Sequence, residues 1–354
     1  MYVKRWVKLW FVFGFIFIFL IGLFNYIVDP LQLYRKATFY KPYSFSERYM
    51  VWGLIKNYDY NSILVGSSMT ENFTYNDINE NLKLNILRIP FSGLSAYEAN
   101  LLIQKALESN TNLSTILYGL DLFSFRGEKT RLRFGENSLP TYLINDTIVD
   151  DYKYLLNIDT LKYNIKIFLS NFLGWKKDNI DFNRMWNWNN KYKFNKELCI
   201  KSYKESLKTN EKKDEYKIEK LKESFNYNIL PHLKNEKIKF IIFFPPYSIL
   251  TWKSWEQKKY LKDLLNFKEY ILKELVKYKN IKIYDFQIAK EITHNLDNYK
   301  DLTHYSEDIN KWMIQQIKNN KYLVTKDNID QYLKMLNKQI KNYNLKQVLL
   351  PKNN

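Results

Sequence analysis

Three side chains suited to acyl transfer are spread across this 354-residue chain: a serine at a strand-to-helix turn, and an aspartate and a histidine close together near its far end. The serine lies in Ile63-Leu64-Val65-Gly66-Ser67-Ser68-Met69-Thr70, where an apolar run long enough for a buried strand meets a glycine and two hydroxyls. Gly66 allows close backbone approach. Met69-Thr70-Glu71-Asn72-Phe73 can open a helix, whose free N–H groups favour negative charge on a bound carbonyl oxygen. Ser68 is the candidate nucleophile; the competing reading has Ser67 and Ser68 merely capping that helix. A serine hydroxyl is a poor nucleophile at its own pKa and needs a base. The only imidazoles are His232, His294 and His304. In Asp301-Leu302-Thr303-His304 the spacing puts carboxylate and imidazole on one face of a turn, so Asp301 can orient the ring while its other nitrogen points away. The motif is short, and an unrelated surface Asp and His would look the same. His232 and His294 have no Asp three residues earlier and read as loop residues.

Positioning such groups requires a scaffold, and the chain after residue 60 alternates apolar runs with amphipathic helices, the pattern of an α/β domain with a central, largely parallel sheet. The expected strands are Ser62 to Val65, Asn85 to Phe91, Ser114 to Tyr118, Ile238 to Phe244 and Ile281 to Tyr284. Loops after the C-terminal ends of parallel strands converge on one crevice. Ser68, Gly93, Asp121 and His304 all follow strands. Ser95 and Glu98 form a capping box for a helix that buries Ala99, Leu102, Ile103 and Ala106. Leu261, Leu264, Leu265, Leu272 and Leu275 mark a helix after the fourth strand. Ile309, Trp312, Met313 and Ile317 mark one capped by Ser306, and Ile329 to Ile340 a last one before a frayed end.

Residues 126–231 are too long for an ordinary crossover and read as a helical insertion, with helical patterns over 150–172 and 214–229. Its stretch Phe182 to Asn190 is rich in aromatics and amides. Trp186 and Trp188 are therefore candidates to stack on sugar rings, against the alternative that they are packing residues.

The run Leu9 to Val28 is almost wholly apolar. At about 1.5 Å per residue it reaches roughly the 30 Å of a bilayer's hydrocarbon core. It reads as one retained transmembrane anchor over residues 1–32, since no small-residue cleavage site follows it. Lys4, Arg5 and Lys8 favour a cytoplasmic N-terminus, which places residues 33–325 outside the cytoplasm, followed by a C-terminal helix and tail over 326–354. Lys and Arg number 55 against 37 Asp and Glu, a net charge of +18. On an exported domain this favours anionic lipid or an anionic cell-surface polymer over nucleic acid. Codon usage biased toward Lys would give the same excess without a partner. Cys199 is the only cysteine, so neither an intrachain disulfide nor a thiolate metal cluster is available.

The order Gly66-Ser67-Ser68, Gly93, Gly119-Leu120-Asp121 and Asp301-Leu302-Thr303-His304 resembles the four blocks of the SGNH (GDSL-like) hydrolase superfamily, over about residues 62–317. It is most similar to the membrane-anchored, cell-envelope branch that includes alginate O-acetylation and teichoic acid D-alanylation proteins. The resemblance implies a flavodoxin-like three-layer α/β fold with Ser68 as nucleophile, His304 as general base and acid, and Asp301 as its orienting carboxylate. It further implies an oxyanion hole from the backbone N–H groups of Ser68 and Gly93. Two positions depart from the family: Ser67 replaces an Asp, and Asp121 stands where an Asn commonly donates to the oxyanion. An ionised Asp121 would repel that charge unless it turns away as a structural acceptor. The implied activity is O-acyl transfer or ester hydrolysis on an envelope glycan, with a polytopic membrane acyltransferase as partner. No metal or cofactor enters that chemistry.

Overall fold

The computed structural model describes residues 2–135, 138–145, 147–174, 181–209 and 213–349. The chain divides into two compact units, residues 1–59 with 137–185 and residues 60–136 with 186–354.

In the second unit each apolar run becomes a strand: β1 (Ser62–Gly66), β2 (Ile86–Pro90), β3 (Thr115–Gly119), β4 (Lys239–Phe244) and β5 (Ile281–Asp285). These five are parallel, and the two-residue β6 (Leu323–Val324) adds antiparallel to β5, giving the order β2-β1-β3-β4-β5-β6. Every residue of β1, β2 and β3 is buried, which explains why these strands do not alternate apolar with polar residues, although buried Arg88 interrupts β2. The last strand was not foreseen because two residues carry no periodic signal.

The helices form two groups. Helix α3 (Tyr75–Leu82) packs on Glu307–Lys318, whereas α4 (Ala96–Ser109), Ile218–Asn228, Leu261–Leu275 and Ile329–Asn342 form a second contiguous set. Winding reverses between the β1–β2 and β2–β3 crossovers, and right-handed crossovers then place the two sets on opposite faces of the sheet. The capping box of α4 forms in full: Glu98 N donates to Ser95 Oγ at 3.2 Å and Ser95 N to Glu98 Oε2 at 2.8 Å. Ser306 occupies an N-cap position without a side-chain cap bond. Asn189 Oδ1 accepts from Glu307 N at 2.8 Å instead.

The expected helix at Met69 does not form. Ser67 caps a single 3-10 turn, Ser68–Thr70, and Thr74 then caps α3 by accepting from Asp77 N at 3.1 Å. The chain pauses because Thr70 is inserted beside two strand ends. A Cβ on Gly66 would lie 2.3 Å from Thr70 Cγ2, and one on Gly119 2.7 Å from the same methyl.

In the first unit, helix α1 (Tyr2–Val28) is long and apolar enough to cross a membrane. Asp29, at a left-handed φ of 48°, ends it, and its carboxylate accepts from Leu33 N (2.9 Å), Tyr34 N (2.8 Å) and Tyr154 OH (2.8 Å). The segment before Arg48 is rich in Tyr and Phe, which could lie along the domain or the membrane surface. Leu31, Leu33, Tyr40, Tyr43, Phe45 and Arg48 are instead buried, because these large side chains supply the core of this small unit. Helix α2 (Glu47–Asn57) crosses so closely that a Cβ on Gly53 would meet Leu31 O at 2.2 Å. The helical pattern expected over 150–172 resolves into a turn at Ile148–Asp150, a short helix Tyr152–Leu155 and the longer helix Ile158–Phe172.

Candidate active site

Ser68 opens the turn that follows β1, and its Oγ lies 2.7 Å from His304 Nε2. His304 Nδ1 is in turn 2.7 Å from Asp301 Oδ2. The other carboxylate oxygen of Asp301 accepts the backbone N–H of Thr303 (2.9 Å) and of His304 (2.8 Å), so the Asp-x-x-His segment folds around its own acid. Burial pushes the Asp301 pKa up, but the His304 charge, its ring N–H and these two backbone donors outweigh burial and hold it at about 2. Asp301 is therefore ionised at neutral pH and must accept, which places the ring proton on Nδ1 and leaves the Nε2 lone pair facing the serine hydroxyl.

Several side chains hold the serine turn and the histidine together. Tyr305 OH (3.1 Å) and Asn310 Nδ2 (3.2 Å) both donate to Met69 O, next to Ser68. Leu302 O accepts from Ser248 Oγ and Thr251 Oγ1, each at 2.6 Å. Trp188 donates from Nε1 to Ser68 O at 3.3 Å and meets the His304 ring edge-on at 5.4 Å between centroids. The Lys300 ammonium sits 4.4 Å from the Trp188 ring and 3.8 Å from that of Tyr192. Trp188 is only 9 % exposed, so its ring is engaged by the triad and Lys300. Trp186 is half-buried with a left-handed φ of 64°.

Gly93 has φ 65°, and a Cβ there would lie 2.6 Å from Arg133 Nε. The left-handed conformation favours glycine, whereas the flexible Arg133 side chain could move away from a Cβ. Its loop is tied to the serine turn through Phe91 N, which donates to Gly66 O at 3.0 Å. Among the described residues, neither the Ser68 nor the Gly93 backbone N–H donates a hydrogen bond, and both residues are partly exposed. Two backbone donors on the loops after β1 and β2 are thus left without a partner among the described residues.

Asp121 is turned away from that role. It is fully buried, with Oδ2 accepting from Ser67 Oγ at 2.5 Å and Oδ1 from Tyr247 OH at 2.7 Å. Ser67 Oγ in turn accepts from Met69 N at 3.2 Å, so Asp121 braces the serine turn from beneath. Burial raises its pKa to about 6, opposed by the Ser67 and Tyr247 hydroxyls and by the His304 charge. Between the unfolded value near 3.8 and the folded value near 6 the native state holds more protons than the unfolded chain, so stability falls as pH rises through that window. Asp121→Asn is expected to remove this slope. Urea melts of the full-length protein at pH 4 and pH 6 check it, and an unchanged slope would assign the dependence to another group.

The sequence reading brought Ser68, Asp301 and His304 forward, and the fold brings them together. It missed Tyr247, Tyr305 and Asn310. Tyr247 carried a usable signal, since it follows Pro245-Pro246 at the end of β4, on the same edge as the other strand-end residues. His232 Nε2 pairs with Asn100 Oδ1 at 2.6 Å, and His294 Nδ1 lies 3.0 Å from Thr293 Oγ1, so neither joins the cluster. Among the described residues no group of three His, Cys, Asp or Glu side chains is arranged to hold a metal ion. No protein-family model matches the chain, and a search of curated proteins finds no match.

Proposed function

We propose that this protein is a membrane-anchored serine acyltransferase or esterase of the SGNH type, acting on an acyl ester of an anionic cell-surface glycan. The observation that carries the reading is the continuous relay from Ser68 Oγ through His304 to Asp301, each link 2.7 Å long. The strand order 2-1-3-4-5 is that of flavodoxin-like sheets and supports the resemblance. His304 Nε2 takes the Ser68 proton as Oγ attacks the acyl carbonyl, the N–H groups of Ser68 and Gly93 receive the oxyanion, and Asp301 stabilises the imidazolium. His304 then returns the proton to the leaving alcohol. A sugar hydroxyl or water, deprotonated by the same imidazole, resolves the acyl-enzyme. Asp121 leaves the oxyanion hole to backbone donors. The excess of basic residues favours an anionic polymer, and tethering by α1 favours one held at the membrane, with the acyl group delivered across it by a polytopic partner.

Covalent labelling of the detergent-solubilised full-length protein with a fluorophosphonate tests this directly. Labelling should occur and vanish in Ser68→Ala. A wild-type chain that stays unlabelled, while binding anionic glycan, would replace the enzyme with a glycan-binding module that retains the fold.

A further inference from the structure

The first unit contains a helix that exposes an apolar stripe. On Ile158–Phe172 the buried positions are polar Thr160 and Asn164 with Ile167, whereas Ile158, Ile165, Phe168 and Phe172 lie at helical spacing on the exposed side, beside exposed Asp159, Lys162 and Lys166. The inward Asn164 Nδ2 donates to Asn25 Oδ1 of α1 at 2.8 Å, and Asn25 Nδ2 donates to Leu155 O at 2.7 Å, so polar groups are satisfied at the contact with α1. Just before it, Ile148 and Val149 are 84 % and 78 % exposed. In water such a helix would turn its apolar stripe toward the core.

The anchor's own length gives a second, independent argument. Its apolar side chains are bare from Leu9 to Leu20, about 18 Å of helix at about 1.5 Å per residue. Lys4, Arg5 and Lys8 set the headgroup level at one end. A hydrocarbon core of about 30 Å therefore has to include roughly the last two turns of α1 as well. In those turns protein covers one side of α1: Ile21 and Gly22 are partly buried and Asn25 and Val28 buried, while Leu23, Tyr26 and Ile27 stay exposed, and a Cβ on Gly22 would touch Leu156 Cδ2 at 3.4 Å. Whatever covers them is immersed with them. An apolar groove of ≈ 560 Å³ runs along this contact, from Phe15 of α1 to Val149 and Leu156.

We propose that residues 148–172 are embedded in the leaflet at the C-terminal end of α1, with bilayer acyl chains against Ile148, Val149, Ile158, Phe168 and Phe172 and in the groove beside Phe15. This rests on the reading of α1 as a membrane-spanning helix. The charges in the segment suit a position near the headgroups, since Asp150 pairs with Lys153 at 2.6 Å and Asp159 with Lys162 at 2.9 Å. The protein then meets the membrane through a spanning helix plus a half-inserted one.

The test uses the full-length chain with Cys199→Ser, carrying Val149→Cys, Phe168→Cys or Phe17→Cys, labelled with an environment-sensitive fluorophore and reconstituted into phosphatidylglycerol–phosphatidylethanolamine vesicles containing doxyl-labelled lipid. Positions 149 and 168 should be quenched at least about half as strongly as position 17. Quenching at 17 without quenching at 149 and 168 overturns the inference while leaving the anchor standing. No quenching at 17 overturns both. In native membranes a photoreactive group at 149 should link to lipid, and linkage to protein alone would overturn the lipid as occupant.

Discussion

Ser68→Ala and His304→Ala should each lower turnover of an activated acyl ester by a thousandfold or more, and the double variant should be little worse than either, because members of such a relay act as a unit. The expectation follows from the geometry: Oγ and Nε2 are 2.7 Å apart, and the ionised Asp301 fixes the imidazole tautomer. Asp301→Asn should be distinct. An amide can donate to Nδ1, which stabilises the tautomer with its proton on Nε2 and turns the base away from the serine; the defect should appear in kcat rather than KM and leave a measurable residue. Ser67→Ala removes the cap on Met69 N and one of the two donors to Asp121, so it should lower stability by about 1 kcal/mol and activity mildly. Steady-state kinetics with a chromogenic acetate ester, beside circular dichroism to establish folding, decides between them. Turnover that survives Ser68→Ala but is lost in Ser67→Ala would move the nucleophile by one residue.

Local sequence carried much of this site because each participant is attached to a strand end. An apolar run followed by glycine or by a turn can be read from a few residues, and parallel topology then collects those ends on one edge. Long-range bracing was invisible. Nothing near Asp121 signals that Ser67 and Tyr247 will converge on it from 54 and 126 residues away. Nor does the pattern of Leu261–Leu275 show that Lys268 is fully buried, 2.7 Å from Asp285 and 2.6 Å from Gln287. Both are groups whose ordinary place is the surface, held inside only by partners supplied by other elements. The same limit explains the aromatic segment between Asp29 and Arg48. Its composition announces large apolar area, but which surface covers it depends on α1, α2 and residues 138–172 meeting in space. The capping box of α4 was legible for the opposite reason, since its two bonds join residues three apart.

Gly66→Ala should lower activity by about a hundredfold through the serine turn, and Thr70→Ser should restore much of the loss. Gly66 does not need a left-handed backbone, so alanine is conformationally acceptable and the effect isolates side-chain space. The new Cβ would stand 2.3 Å from Thr70 Cγ2, far inside van der Waals contact. Thr70 has little room to yield. Its N and Oγ1 both donate to Ser67 O at 2.8 Å, closing the turn that carries Ser68, and its methyl also abuts Gly119. Pushing it outward therefore shifts Ser68 relative to His304. A displacement on the order of 1 Å at a reacting atom costs about a hundredfold in rate, and overpacking a buried contact costs about 1–3 kcal/mol in stability. Serine at position 70 keeps the hydroxyl that bonds Ser67 O and deletes the clashing methyl, so Gly66→Ala with Thr70→Ser should regain most of the melting temperature and part of the fluorophosphonate labelling rate. Recovery stays incomplete because Oγ1 itself would remain 2.8 Å from the added carbon. Gly119→Ala supplies the control: its Cβ meets the same methyl at 2.7 Å but also the Phe243 ring at 3.1 Å, so Thr70→Ser should rescue it less. Equal rescue of both, or none of either, would mean that the strand ends rather than Thr70 set the position of the nucleophile.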